Sequence, residues 1–424
     1  MGKGIFGTHA LDAGQTIPTG APPEAPTSAA EHRIWQTAFA GTRWPMFRLV
    51  FGTGLLTVLT LGLYRFWQKT RVRRWLWSAV RPGGYPLEYV GDPYEKLLGF
   101  LIAVVILAFY IGIVNLLLMF ASYAVFQGNF AAYLLSLVGV FPIWFYARYR
   151  ARRYVLARTR WLGLRFGLAP GAWGYAFRAL GHGFLTLITL GLLWPRMTFH
   201  LEKYRTDRTF FGETRMAQEG RWTMLFPALK WHFATLGLAI IGSVGLAVSP
   251  GNGWMLMVIA GITAVYSTVY YRVETLKRLT ATKRIGPLRL TLDAKPGKVF
   301  RIQAGGYTLA ALAAAFPTLM LLGLFLELQS LETLVELGLE DMPPLFAGLN
   351  RWLLIALSVM CYFAIFLLWS ALTAAWVKLP LMRHYATGLS IAGTEHMVTF
   401  RQRPRDEHME AEGFADALDV GASL

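Results

Sequence analysis

Long uncharged stretches alternate along this chain with short, strongly basic ones. Leu97 to Ala147 contains no Asp, Glu, Lys or Arg, and neither does Trp231 to Tyr271. A helix that crosses a hydrocarbon core of ~30 Å needs about 20 apolar residues, so each stretch has room for two helices and a turn. The turns are marked by Gln127-Gly128-Asn129 and by Ser249-Pro250-Gly251-Asn252-Gly253. Two more apolar stretches flank a loop carrying Glu327, Glu332, Glu336, Glu340 and Asp341. Leu49 to Tyr64 and Ala179 to Pro195 are shorter, at sixteen and seventeen uncharged residues.

A second pattern follows five of the apolar stretches: a basic helix-like segment, a glycine, then a few alternating residues. The glycines are Gly83, Gly163, Gly212, Gly286 and Gly393, and the alternation is cleanest in Leu288-Arg289-Leu290-Thr291-Leu292. Each unit reads as an amphipathic exit helix followed by a small hairpin. Six basic residues and no acid lie between Arg65 and Arg81, and seven and none between Arg148 and Arg165. Short cytoplasmic connections are rich in Lys and Arg, so all five hairpins want the cytoplasmic side and the acidic loop the other.

That demand sets a parity problem. Eight crossings would strand the basic hairpin around Gly212 outside, so two apolar stretches must enter the membrane and return. The short ones are the candidates, and they are also duplicates. Gly52-Thr-Gly-Leu-Leu-Thr-Val-Leu-Thr-Leu-Gly-Leu63 and Gly181-His-Gly-Phe-Leu-Thr-Leu-Ile-Thr-Leu-Gly-Leu192 agree at eight of twelve positions, 129 residues apart. Gly52, Gly54 and Gly62, with Gly181, Gly183 and Gly191, would permit the bend, while Thr57, Thr60, Thr186 and Thr189 would satisfy carbonyls freed by it. His182 stands where the first copy has Thr53.

The expected fold is therefore an all-α polytopic membrane protein with small cytoplasmic β-hairpins. Six transmembrane helices run near 97–122, 129–148, 229–248, 254–272, 304–326 and 352–377, and two re-entrant helical segments accompany them. Residues 1–32 form a tail, 33–165 a first membrane repeat, 166–301 a second, 302–403 the last two spans and their hairpin, and 404–424 an acidic tail. Both termini are expected in the cytoplasm.

Composition agrees with a lipid environment: 55% of the 424 residues are hydrophobic and 15% charged, against roughly a quarter charged in soluble domains. The net charge of +17 sits at the ends of apolar stretches, which favours anionic headgroups over nucleic acid as the partner. Lys69, Arg71, Arg73, Arg74, Arg152, Arg153, Lys277 and Arg278 are the expected lipid contacts. Eight histidines show no metal-site spacing, and no phosphate-binding loop or nucleophile elbow is present. No enzyme chemistry, metal or cofactor is expected. Cys361 is the only cysteine, which excludes an intrachain disulfide.

Thr60-Leu61-Gly62-Leu63-Tyr64 leads into Trp67-Gln68-Lys69-Thr70-Arg71-Val72-Arg73-Arg74-Trp75, followed by Gly84, Glu88-Tyr89 and Gly91-Asp92. This run resembles the YjgN-like family of bacterial inner-membrane proteins of unknown function, and the likeness extends from about residue 33 over most of the chain. The second copy departs from it, with Trp194-Pro195-Arg196 in place of the Tyr-x-x-Trp portion. The resemblance implies an inner-membrane location and no inherited activity. Two functions fit: transport or lipid handling through the paired re-entrant segments, or a non-transporting scaffold that presents a basic β-rich platform to a partner or to anionic lipid.

Overall fold

A computed structural model describes residues 34–126, 129–328 and 350–403. The proposed tails, the acidic loop and most of the turn at 127–129 lie outside the described residues.

The described residues contain ten short strands: β1 Trp35–Phe39, β2 Val80–Pro82, β3 Leu87–Tyr89, β4 Thr159–Trp161, β5 Leu164–Leu168, β6 Thr209–Phe211, β7 Thr214–Gln218, β8 Lys283–Ile285, β9 Leu288–Leu292 and β10 Leu389–Ala392. They join in a single antiparallel sheet of order β2-β1-β10-β9-β8-β7-β6-β5-β4-β3. Its two edge strands, β2 and β3, are consecutive in the chain with only residues 83–86 between them, so the sheet curls into a nearly closed barrel. An isolated hairpin is marginal in water and an open edge is a hazard; closure removes both problems.

This sheet overturns the expected all-α fold with separate hairpins. Three hairpins form as anticipated, β4–β5, β6–β7 and β8–β9, each with a two-residue turn. Gly163, Gly212 and Gly286 hold positive φ there, as the primed turns of tight hairpins require. The units at Gly83 and Gly393 are not hairpins. β2 pairs with β1, β3 with β4, and β10 bridges β1 and β9, with Trp35 opposite Ile391.

The barrel interior is packed. Trp161, Phe211, Ile285, Leu288, Ile391 and Phe400 are buried against one another, with Trp35, Phe166 and Met216 around them. Residues 394–403 cross one end of it: the Glu213 N–H donates to the Arg401 carbonyl at 3.0 Å, and the Arg165 N–H to Gln402 Oε1 at 3.0 Å.

Helices leave this sheet and return to it in five excursions. The first is α1 Arg43–Leu59 and α2 Arg65–Ala79, the second α3 Pro93–Phe126 and α4 Asn129–Ala157, the third α5 Ala172–Ile188 and α6 Trp194–Thr206. The fourth comprises a short 3₁₀ segment Trp222–Leu229, then α7 Lys230–Val248 and α8 Pro250–Ala281. The fifth comprises α9 Pro296–Leu328 and α10 Arg351–Thr373, the latter continuing through a π turn into α11 Leu379–Gly388. Every excursion begins and ends on a strand of one sheet, so the basic segments are gathered at one end of the molecule.

Among the described residues, four helical stretches are long and apolar enough to cross a membrane: Trp222–Val248, Pro250–Ala281, Pro296–Leu328 and Arg351–Gly388. The expected six spans are thereby corrected to four among the described residues. The spans placed at 97–122 and 129–148 fall within α3 and α4, where many side chains, including that of Asn115, lie outside the described residues. Val248 and Phe316 expose 81% and 76% of their surface, an arrangement that water penalises and that points to a membrane protein.

Candidate functional site

The two duplicated segments form the tips of the first and third excursions. In each, a 17-residue helix, α1 or α5, runs outward and a shorter one, α2 or α6, returns. At 1.5 Å per residue the outward arms are about 26 Å long, less than a full hydrocarbon core once their sheet-proximal ends are set aside.

The turns match bond for bond. Thr60 N–H donates to the Leu56 carbonyl, Leu61 to Val58, Gly62 to Thr57 and Leu63 to Thr60; Thr189, Leu190, Gly191 and Leu192 repeat the set with Leu185, Leu187, Thr186 and Thr189. Leu61 and Leu190 adopt φ of 51° and 49°, and Gly62 and Gly191 follow at 94° and 89°. Only Gly tolerates that second conformation readily. A leucine in the left-handed region is a strained choice costing roughly 1–2 kcal/mol, and strain of this kind persists where the position has a use. Both leucines project outward, 92% and 97% exposed.

The expected site residues divide by role. Gly62 and Gly191 make the bend. Gly52, Gly54, Gly181 and Gly183 lie inside α1 and α5 and bend nothing; of these, Gly54 is a packing glycine, since a Cβ there would meet Leu367 of α10 at 2.6 Å. Thr57 and Thr186 donate to the helical carbonyls of Thr53 and His182, at 2.9 and 2.7 Å, rather than to carbonyls released by the turn. Thr60 and Thr189 do serve the turn: their hydroxyls donate to Leu56 and Leu185 and accept from the N–H of Tyr64 and Leu193.

The filling between the arms differs. In the first hairpin Gln68 donates to the Val50 carbonyl at 3.2 Å and lies 3.4 Å from the Thr57 hydroxyl. In the second, Met197 takes the place of Gln68, and His182 stacks on His200 with ring centroids 4.9 Å apart. The hairpins lean on different helices, α1 on α10 and α5 on α4.

The eight basic residues expected at lipid divide between exposed and half-buried positions. Arg73 lies over the Tyr89 ring at 5.2 Å, and Arg74, though exposed, donates to the Gly91 carbonyl at 2.8 Å. Arg152 approaches Glu202 at 3.9 Å, and Arg278 is held by Glu274 and the Met224 carbonyl. Lys69 and Arg153 are half-buried, whereas Arg71 and Lys277 are exposed.

Glu202 was not foreseen as an organising residue. Its carboxylate is buried and gathers Arg205 from its own helix, Lys283 from β8 and Arg152 from α4. Burial works to raise its pKa, but the three cations outweigh burial and hold it well below the ordinary carboxylate value. The local signal was faint: an acid three residues before an arginine, with the decisive partner 81 positions away. Among the described residues no group of three or more His, Cys, Asp or Glu is placed to hold a metal ion.

No curated protein and no solved structure matches the chain. Residues 35–305, well over half of its length, match the profile of DUF898, described as a bacterial protein of unknown function, which is also the YjgN-like family. The chain belongs to that family.

Proposed function

We propose that this is an integral inner-membrane protein that handles lipid, with its barrel and both termini in the cytoplasm and its two short hairpins dipping into the near leaflet. One observation carries the reading: two hairpin tips, about 20 Å or more from the sheet along α2 and α6, each present a strained and almost fully exposed leucine. In water that choice is doubly unfavourable; in acyl chains it is favourable. The turn's N–H groups are bonded within the turn, as insertion into hydrocarbon requires. The basic sheet end fits the cytoplasmic leaflet, where Lys and Arg accumulate and anionic headgroups attract them. Membrane lipids are thus the proposed partners, with no nucleic acid and no enzymatic step.

The test places a fluorophore at the tips, since the chain's fifteen native tryptophans would mask an added one. Leu61→Cys and Leu190→Cys chains, each made with Cys361→Ser and labelled with a thiol-reactive fluorophore, should be quenched in nanodiscs by lipids brominated on their acyl chains; unquenched tips would refute insertion. Vesicles bearing the wild-type chain should then move a fluorescent phospholipid between leaflets faster than empty vesicles, and Leu61→Asp with Leu190→Asp should abolish the gain. A rate equal to that of empty vesicles would remove lipid handling and leave the scaffold reading. The packed barrel favours that second reading in one respect: aromatic side chains, Phe400 among them, fill it, so its outer face is what it can present.

A further inference from the structure

A second feature lies where α9 leaves the sheet. Residues of β1, β9, β10, α11 and the start of α9 line an open cleft of about 1190 Å³, large enough for a whole headgroup or a phosphorylated small molecule. Three cations line it. Lys295 stands on the link between β9 and α9, and Lys298 and Arg301, three residues apart, share one helical face. Among the described residues, no carboxylate lies within ion-pair distance of any of the three, although Asp293 lines the same cleft. The balance is three positive charges to one negative.

The walls are fixed before any ligand arrives. The Asp293 N–H donates to the Gly388 carbonyl at 2.8 Å, and a Cβ on Gly388 would meet the Asp293 carbonyl oxygen at 2.2 Å, so the link is pinned to α11. His384 is buried, and its Nε2 accepts from the Lys295 N–H at 3.0 Å. That bond leaves Nδ1 to carry the ring proton, so His384 adds a donor rather than a charge. Thr291 and Ser390, on neighbouring strands, bring their hydroxyls within 2.7 Å of each other on the same wall.

We propose that this cleft binds a phosphate-bearing anion. Cations and hydroxyls on a preformed wall are what a phosphate needs, because charge-assisted hydrogen bonds to its oxygens are the strongest ordinary ones. The position suits a lipid headgroup as well as a soluble phosphate: residues 302–326 of α9 are uncharged, so Lys298 and Arg301 sit where an apolar helix begins. The lipid source rests on the membrane placement proposed above; the soluble source does not.

The full chain in phosphatidylcholine nanodiscs is titrated with inorganic phosphate against chloride at matched ionic strength, reading the shift in Tm. In parallel, nanodiscs containing phosphatidate are compared with phosphatidylcholine alone by native mass spectrometry of retained lipid. Stabilisation by phosphate identifies a soluble anion, and retention of phosphatidate alone identifies a headgroup. Absence of both responses overturns the proposal. Lys298→Gln and Arg301→Gln should each weaken the response roughly tenfold, and Lys298→Arg should restore most of it. Should a glutamine variant fail to fold, Ser390→Asp, which sets a carboxylate on a strand of the wall, should abolish the response by repulsion. Wild-type binding by Lys298→Gln or Ser390→Asp would refute the site, whereas unquenched hairpin tips together with intact phosphate binding would refute only the membrane reading.

Discussion

The two helical hairpins share a backbone and part company in their side chains. Their turns use the same hydrogen bonds and the same pair of positive φ angles, yet position by position the return arms diverge: Gln68 against Met197, Arg71 against His200, Arg73 against Glu202. The first hairpin is tied across by an amide and leans its arginine on aromatic rings; the second is filled by thioether and imidazole and anchors a buried carboxylate. The shape of the tip is thus set by Thr-Leu-Gly, whose threonine also caps the turn. How each hairpin is fastened to its surroundings is decided separately.

The largest effect that separates them is expected at Glu202. Glu202→Gln should cost about 3–5 kcal/mol in detergent-solubilised unfolding, because three cations lose their buried counter-charge. Arg73→Gln, at the matching position, should cost less, because Arg73 is half-buried and lies over the Trp77 and Tyr89 rings while donating to the Tyr89 hydroxyl, with no buried carboxylate depending on it as three cations depend on Glu202. Equal losses would erase the distinction.

Acid sharpens the same contrast. The folded pKa of Glu202 lies below its ordinary value of 4.5, so its contribution is complete above that value and disappears as pH falls through the depressed one. Stability measured from pH 5 downward should therefore fall more steeply in the wild type than in Glu202→Gln.

At the tips the expectation is equality. Gly62→Val and Gly191→Val should each cost about 1–2 kcal/mol through backbone strain alone, since open space surrounds both. Between the arms, Gln68→Met should cost about 1 kcal/mol for its lost hydrogen bond. The smallest effects should differ in sign. Gly54→Ala must displace Leu367 and is destabilising, while Gly183→Ala, at the equivalent place with nothing near, should stabilise by about 0.5–1 kcal/mol.

The parts of this fold legible in sequence were local ones. The turn glycines, the alternation of Leu288–Leu292 and the duplicated tips all depend on residues within a few positions of each other, and each left a pattern. The barrel did not. Strands of three to five residues carry almost no periodic signal, and the decisive pairings, such as Trp35 with Ile391, join opposite ends of the chain. The same distance hid the Glu202 cluster and the cleft at Lys298, whose walls come from β1, β9, β10, α9 and α11. The side-chain fate of the basic residues was likewise beyond sequence: Arg73 and Arg152 look like membrane anchors until the rings and carboxylate beside them are seen.

The strand order has a consequence for synthesis. Among the described residues β10 is the last strand made, and it sits between β1, the first, and β9. Until Leu389–Ala392 leaves the ribosome, the sheet is two ribbons, β2–β1 and β9 through β3, with nothing between β1 and β9. β10 is the keystone of the ring, and a polypeptide cut short before it, however well its helices pack, is left with two raw backbone edges, one on β1 and one on β9.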